Sequence, residues 1–211
     1  VGVVLISTLF LQIIGNKYWM LLTLLWAFLP IIASIMLMNS PMPDMNITQS
    51  PSNAIHSKHR AKGILLCMGC IFLGACAENT MANWVSVYAE KALEIPKIWG
   101  DVLGMSLFAA LLAITRTLYA KFGKNIFLTL VVSMSGSVVC YLMIALSSSA
   151  FLSLISCIAL GIFTSMLWPG TLIYMEEKIT GPGVAAYALM AAGGDFGASI
   201  APQMMGIIVD N

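Results

Sequence analysis

Long apolar runs separated by short polar joints organise this chain. Seven runs can be marked, at residues 1–14, 18–38, 63–88, 98–119, 126–146, 150–175 and 183–209. The last six each hold 21 or more residues. At about 1.5 Å per residue such a run reaches roughly 30 Å, the thickness of bilayer hydrocarbon. The runs lack the apolar/polar alternation of short barrel strands, so they predict spanning helices. The first run would cover only about 21 Å and is too short to span. It begins inside apolar sequence without a methionine, a charged leader or a small-residue cleavage site. We therefore expect the chain to be part of a longer protein and not to start with a signal peptide.

Runs 18–38 and 126–146 are the least polar, and Thr23 and Ser34 are the only polar side chains inside the former. Run 18–38 is therefore expected to face lipid. Residues 39–62 form the longest break. It opens as a Pro-, Ser- and Asn-rich stretch expected to be flexible and closes on the basic Lys58-His59-Arg60-Ala61-Lys62. This divides the chain into residues 1–38, a linker at 39–62, and 63–211.

Composition agrees with a membrane protein. Hydrophobic residues make up 60% of the chain and charged residues 9%, against about 25% charged in soluble domains. A net charge of +1 supplies no basic field for nucleic acid. The five cysteines all sit in apolar runs. Cys67-x-x-Cys70 has no second pair and no histidine near it, so the cysteines read as small apolar helix residues. No metal site, cofactor or catalytic residue is predicted.

The polar positions inside the runs are the informative ones. Glu78 lies well within run 63–88, where an acid costs on the order of 2.5–3.5 kcal/mol on insertion scales. At 100° per residue, Glu78, Asn79, Asn83 and Ser86 fall within about 140° of arc, as a polar cavity wall in a helical bundle would. Asp195 is about 18 Å along its run, with Ser199 and Gln203 following at i+4 and i+8. No lysine, arginine or histidine is expected at the depth of Glu78 or Asp195. Each acid must then be protonated, bonded to neighbours such as Asn79, or paired with a residue outside this chain. Asp101 follows Trp99 near a run's start and reads as a solvated helix N-terminal acid. Pro169 cannot donate to the Ser165 carbonyl, so run 150–175 should kink there and free that oxygen. Cys157, Gly161, Thr164, Trp168 and Thr171 make a small and polar stripe on the same run. Gly100-x-x-x-Gly104 and Gly193-x-x-x-Gly197 would allow close helix contact.

Orientation follows from the basic residues. With linker 39–62 in the cytoplasm, seven lysines and arginines lie inside (58, 60, 62, 116, 121, 124, 178) and three outside (17, 91, 97). Tyr18, Trp19, Tyr88 and Trp99 then mark the outer interface, and Tyr119 and Tyr174 the inner.

Residues Arg116–Asn125, RTLYAKFGKN, resemble the loop motif of major facilitator superfamily (MFS) transporters, which reads glycine, any, leucine, any, acid, basic, any, glycine, basic, basic. Leu118, Lys121, Gly123 and Lys124 match. Arg116 stands at the first glycine, Ala120 at the acid and Asn125 at the last base. Gly74, Glu78, Trp84 and Tyr88 are similar in order to the seventh helix of the fucose and glucose/galactose permease group, and Pro202 with Gly206 to its eleventh. The resemblance implies an all-α polytopic bundle of the MFS type, incomplete here and covering roughly helices five to eleven. It implies alternating access around a midplane site.

The expected function is a secondary active transporter in the cytoplasmic membrane, moving a small polar solute, with a lean toward a sugar, coupled to protons or sodium. Its partners would be membrane lipid, the solute and the coupling ion, with no oligomer required. The expected substrate pathway comprises Glu78, Asn79, Asn83, Trp84, Thr164, Trp168, Asp195 and Gln203. The gating loop comprises Arg116, Lys121, Gly123 and Lys124. Two alternatives remain, a channel and an intramembrane aspartyl protease. The latter rests on Ala192-Gly193-Gly194-Asp195, one residue from a GxGD signature, and would need Asp101 as the second aspartate.

Overall fold

The computed structural model describes residues 2–40, 57–179 and 182–210, and every secondary-structure element among them is helical. Among the described residues six helices are long and apolar enough to cross a membrane: Trp19–Met38, Arg60–Lys91, Lys97–Phe122, Ile126–Leu146, Ala150–Lys178 and Gly183–Val209. They coincide with the six full-length apolar runs. The protein is an all-α helical bundle of multi-pass membrane character. Most of the linker (residues 41–56), whose flexibility the sequence suggested, lies outside the described residues.

The chain divides into two compact units, Gly2–Ser52 and Asn53–Asn211. In the first, α1 (Gly2–Ile14) turns into α2 (Trp19–Met38) through Gly15, whose φ of 100° suits a residue without a Cβ. Trp26 Nε1 donates to Ser7 Oγ at 3.1 Å and ties the two helices. Along α2 only Leu22 is buried.

The second unit is built on α3 (Ser57–Lys91), which begins six residues before the expected start because the basic end of the linker continues the helix. One turn, α4 (Lys97–Trp99), leads into a π-helical stretch, Gly100–Ser106, and on into α5 (Leu107–Phe122). Helix α6 (Ile126–Leu146) is started by Asn125, whose side chain accepts from the Leu128 amide. Run 150–175 divides into α7 (Ala150–Thr164) and α8 (Leu167–Lys178), with the break at Ser165-Met166, four residues before Pro169 on its near side. The last helix, α9 (Gly183–Asp210), runs through Pro202.

Packing explains why α3 is central. Met81 and Val85 join Phe108 of α5, Cys140 of α6 and Cys157 and Leu160 of α7 in one buried cluster. A second cluster joins Ile71 to Met175 of α8 and Ala186 and Met190 of α9. Gly100 sits against Ser86 and Ala89, and Gly104 against Val85, while Gly193, Gly194 and Gly197 of α9 sit against Met68, Ile71, Phe72 and Cys76 of α3. Both glycine pairs are therefore sites of close helix approach. Helix α6 shows how a nearly featureless run divides its faces. Ile126, Leu130, Ser133, Ser137 and Cys140 are buried at helical spacing, while Val131, Val132, Val138, Val139 and Leu142 stay exposed. The exposed face is apolar, as lipid contact requires.

The seam between α3 and α9 yields a stability test. A Cβ at Gly197 would collide with the Phe72 carbonyl of α3, whereas a Cβ at Gly69 meets nothing within 4 Å. Gly197→Ala is expected to cost about 1–3 kcal/mol by overpacking. Gly69→Ala is expected to be neutral or to gain up to about 1 kcal/mol from helix propensity. Equilibrium unfolding of the purified protein in detergent distinguishes the two; equal effects would mean that the seam is not tight.

Candidate functional site

Arg116 enters the bundle where the sequence led us to expect no cation. It lies on α5, two turns before the helix ends at Phe122. Its Nη2 donates to both carboxylate oxygens of Glu78 at 3.0 Å, and its Nε donates to the Ser165 carbonyl at 2.8 Å. The expectation that Glu78 finds no basic partner within this chain is overturned. A guanidinium carries the charge at the end of a long stem, so its head reaches more than a turn beyond its own Cα level. Glu78 is 19% exposed and Arg116 36%, so the pair is shielded but not sealed.

The Ser165 contact follows directly from Pro169. In an unbroken helix the Ser165 oxygen would accept from the amide four residues on, and proline has none. The oxygen was expected to be free; Arg116 takes it. One side chain of α5 thus holds the acid of α3 and the broken end of α7 together. A carbonyl's partial negative charge and a full carboxylate both favour the guanidinium, and its fixed fork lets it serve both.

Beside this contact is a cavity of about 250 Å³, lined by Ala75, Glu78, Asn79, Arg116, Trp168, Gly194, Asp195 and Ala198. Four of the eight expected pathway residues, Glu78, Asn79, Trp168 and Asp195, meet here. Asn79 Nδ2 is turned to the Ala75 carbonyl at 3.0 Å, which leaves its Oδ1 available. Trp168 is brought to the cavity by the break before α8, and its Nε1 edge lies over Gly194, where only a glycine leaves room.

Asn83, Trp84 and Gln203 gather elsewhere, around a hollow of about 330 Å³ with Val87 and Pro202. Trp84 Nε1 donates to the Pro202 carbonyl at 3.0 Å, and Asn83 Nδ2 to the Asn79 carbonyl at 2.8 Å. The two tryptophans therefore line different spaces. Thr164 lines neither: it is fully buried and its hydroxyl donates to the Leu160 carbonyl at 2.8 Å. Its place in the polar stripe reflects helix packing.

Of the loop motif, Arg116 points into the bundle as described. Lys121 has its Nζ 5.4 Å from the Phe122 ring centre, and Lys124 follows the helix end. Gly123 is extended, at φ −63° and ψ 132°, and its amide donates to the Tyr119 carbonyl at 2.7 Å. Asp101 differs from the solvated acid expected of it. Ser86 Oγ of α3 donates to its carboxylate, and Ser106 Oγ to its carbonyl at 3.1 Å, so it fastens the π-helical stretch to α3.

No protein-family model matches the chain, and comparison with curated proteins and with solved structures returns no match.

The ion pair can be weighed by a double-mutant cycle. Removing one partner strands the other charge, so Glu78→Gln and Arg116→Gln are each expected to destabilise by about 2–4 kcal/mol. Their combination is expected to cost at least about 1 kcal/mol less than the sum. Additive losses in unfolding free energy would mean that the pair contributes no coupling.

Proposed function

We propose that this chain belongs to a secondary active transporter of the MFS type, moving a small polar solute across the cytoplasmic membrane by alternating access. The observation that carries the reading is the polar cavity among spanning helices, walled by Glu78, Asn79, Arg116, Trp168 and Asp195. Charged side chains at membrane depth mark solute and ion pathways, because their insertion cost is retained only where they act. A broken helix beside such a cavity, its freed Ser165 carbonyl held by the Arg116 that lines the wall, is a further feature in keeping with transporter sites. The loop resemblance at Leu118, Lys121, Gly123 and Lys124 supports the MFS assignment, with linker 39–62 on the cytoplasmic side.

Coupling to protons or sodium is part of the proposal, with Glu78 in the coupling role. Arg116 would exchange that carboxylate between itself and the ion or solute as the bundle changes state. The protease reading draws less support, since Asp101 is engaged with Ser86 and the acid sharing the Asp195 cavity is Glu78, already paired with Arg116.

Flux in proteoliposomes carrying the full-length protein tests the proposal. Uptake is expected to saturate with solute and to accumulate it against a gradient when an ion gradient is imposed. Glu78→Gln is expected to abolish accumulation while exchange or binding persists in part. Asn79→Ala, at the cavity wall, is expected to raise the half-saturation concentration more than tenfold, over about 1.4 kcal/mol. Non-saturating flux would favour a channel, and full accumulation by Glu78→Gln would remove the coupling role.

A further inference from the structure

The charge balance of the cavity points to the class of solute, an inference that rests on the transporter reading and narrows it. Arg116 is committed to Glu78 and Ser165. The carboxylate of Asp195 has no hydrogen-bond or ion-pair partner among the described residues; Ser199 bonds only its backbone carbonyl. One negative charge is therefore left over at the cavity wall. Close to it are two further groups with capacity to spare, Asn79 Oδ1, whose amide nitrogen is the atom engaged, and the indole of Trp168.

We infer that the cavity binds a small organic cation, a primary ammonium group whose counter-ion is Asp195. An ammonium carries three N–H donors and a full positive charge. Asp195 and Asn79 Oδ1 offer charge and acceptors, and the Trp168 face offers cation–π attraction. Asp195 is exposed at this wall, and a neutral polyol would bring its carboxylate no counter-ion. A bare metal ion fits less well. Hard cations need six or more oxygens, and no group of three His, Cys, Asp or Glu side chains placed to hold a metal occurs among the described residues. The volume of about 250 Å³ limits the solute to the size of an amino sugar or smaller.

Equilibrium binding separates this inference from transport itself. The full-length protein in lipid nanodiscs is titrated with matched probes, glucosamine against glucose and ethanolamine against ethylene glycol, following tryptophan fluorescence and thermal midpoint. Methylammonium serves as the smallest ammonium probe. At least one ammonium is expected to bind saturably and at least tenfold tighter than its neutral partner. Asp195→Asn is expected to remove that preference while leaving the ligand-free thermal midpoint near the parent value, and Trp168→Phe to weaken ammonium binding about threefold or more. Equal or tighter binding of the neutral members overturns the inference, as does an ammonium preference that survives Asp195→Asn, or no binding by any ammonium probe. Saturable, ion-driven flux of a neutral solute alone would overturn it while leaving the transporter intact. Ammonium binding without flux would keep the cation site and remove the transport reading.

Discussion

Everything near the cavity depends on one charge having been brought indoors. Glu78 can remain on α3 at membrane depth because Arg116 meets it, and Arg116 can remain because Glu78 and the Ser165 carbonyl together accept its hydrogen bonds. Remove any one of the three and another is left without compensation, in a medium where each unsatisfied polar group costs several kcal/mol. The contact also fixes geometry. It sets α5 against α3 and pins the point where α7 gives way to α8, which in turn carries Trp168 to the cavity.

Glycines determine how near the remaining wall can come. On α9 they let the backbone lie against α3, so that Asp195, adjacent to Gly194, shares a space with Asn79 and Glu78. On the other side of α3, Gly100 and Gly104 do the same for the π-helical stretch, with Ser86 and Asp101 supplying the polar fastening. Asp101 and Glu78 are thus both bound to partners, whereas the Asp195 carboxylate has none among the described residues, and this difference of environment separates three acids that look alike in the sequence.

The helices were legible because their length and apolarity are properties of each run by itself. Run 126–146 was placed to the residue, and the break before Pro169 and the freed Ser165 oxygen followed from proline's missing donor. Glu78, Asn79, Trp168 and Asp195 could be named because polar groups inside an apolar run are conspicuous. What the runs could not disclose was reach between helices. Arg116 was assigned to a surface loop by its motif position, although it stands inside the apolar stretch ALLAITRTLY; the length of its side chain was the available signal. Thr164 was grouped with Trp168 by spacing along its own run, and Trp84 was named with Asn79 on another, but which face meets which neighbour is decided by packing, for Trp84 against Pro202 of α9, 118 residues away.

That separation along the chain has a consequence for biosynthesis. Glu78 leaves the ribosome 38 residues ahead of Arg116, an interval of about 2–8 s at ordinary synthesis rates. During it the acid would enter lipid without its partner, and the glycine-facing surface of α3 waits longer still, until α9 follows. The nascent helix must therefore be sheltered, protonated or held at the interface meanwhile, so the order in which the helices emerge, as much as their final arrangement, is constrained by where the arginine lies in the sequence.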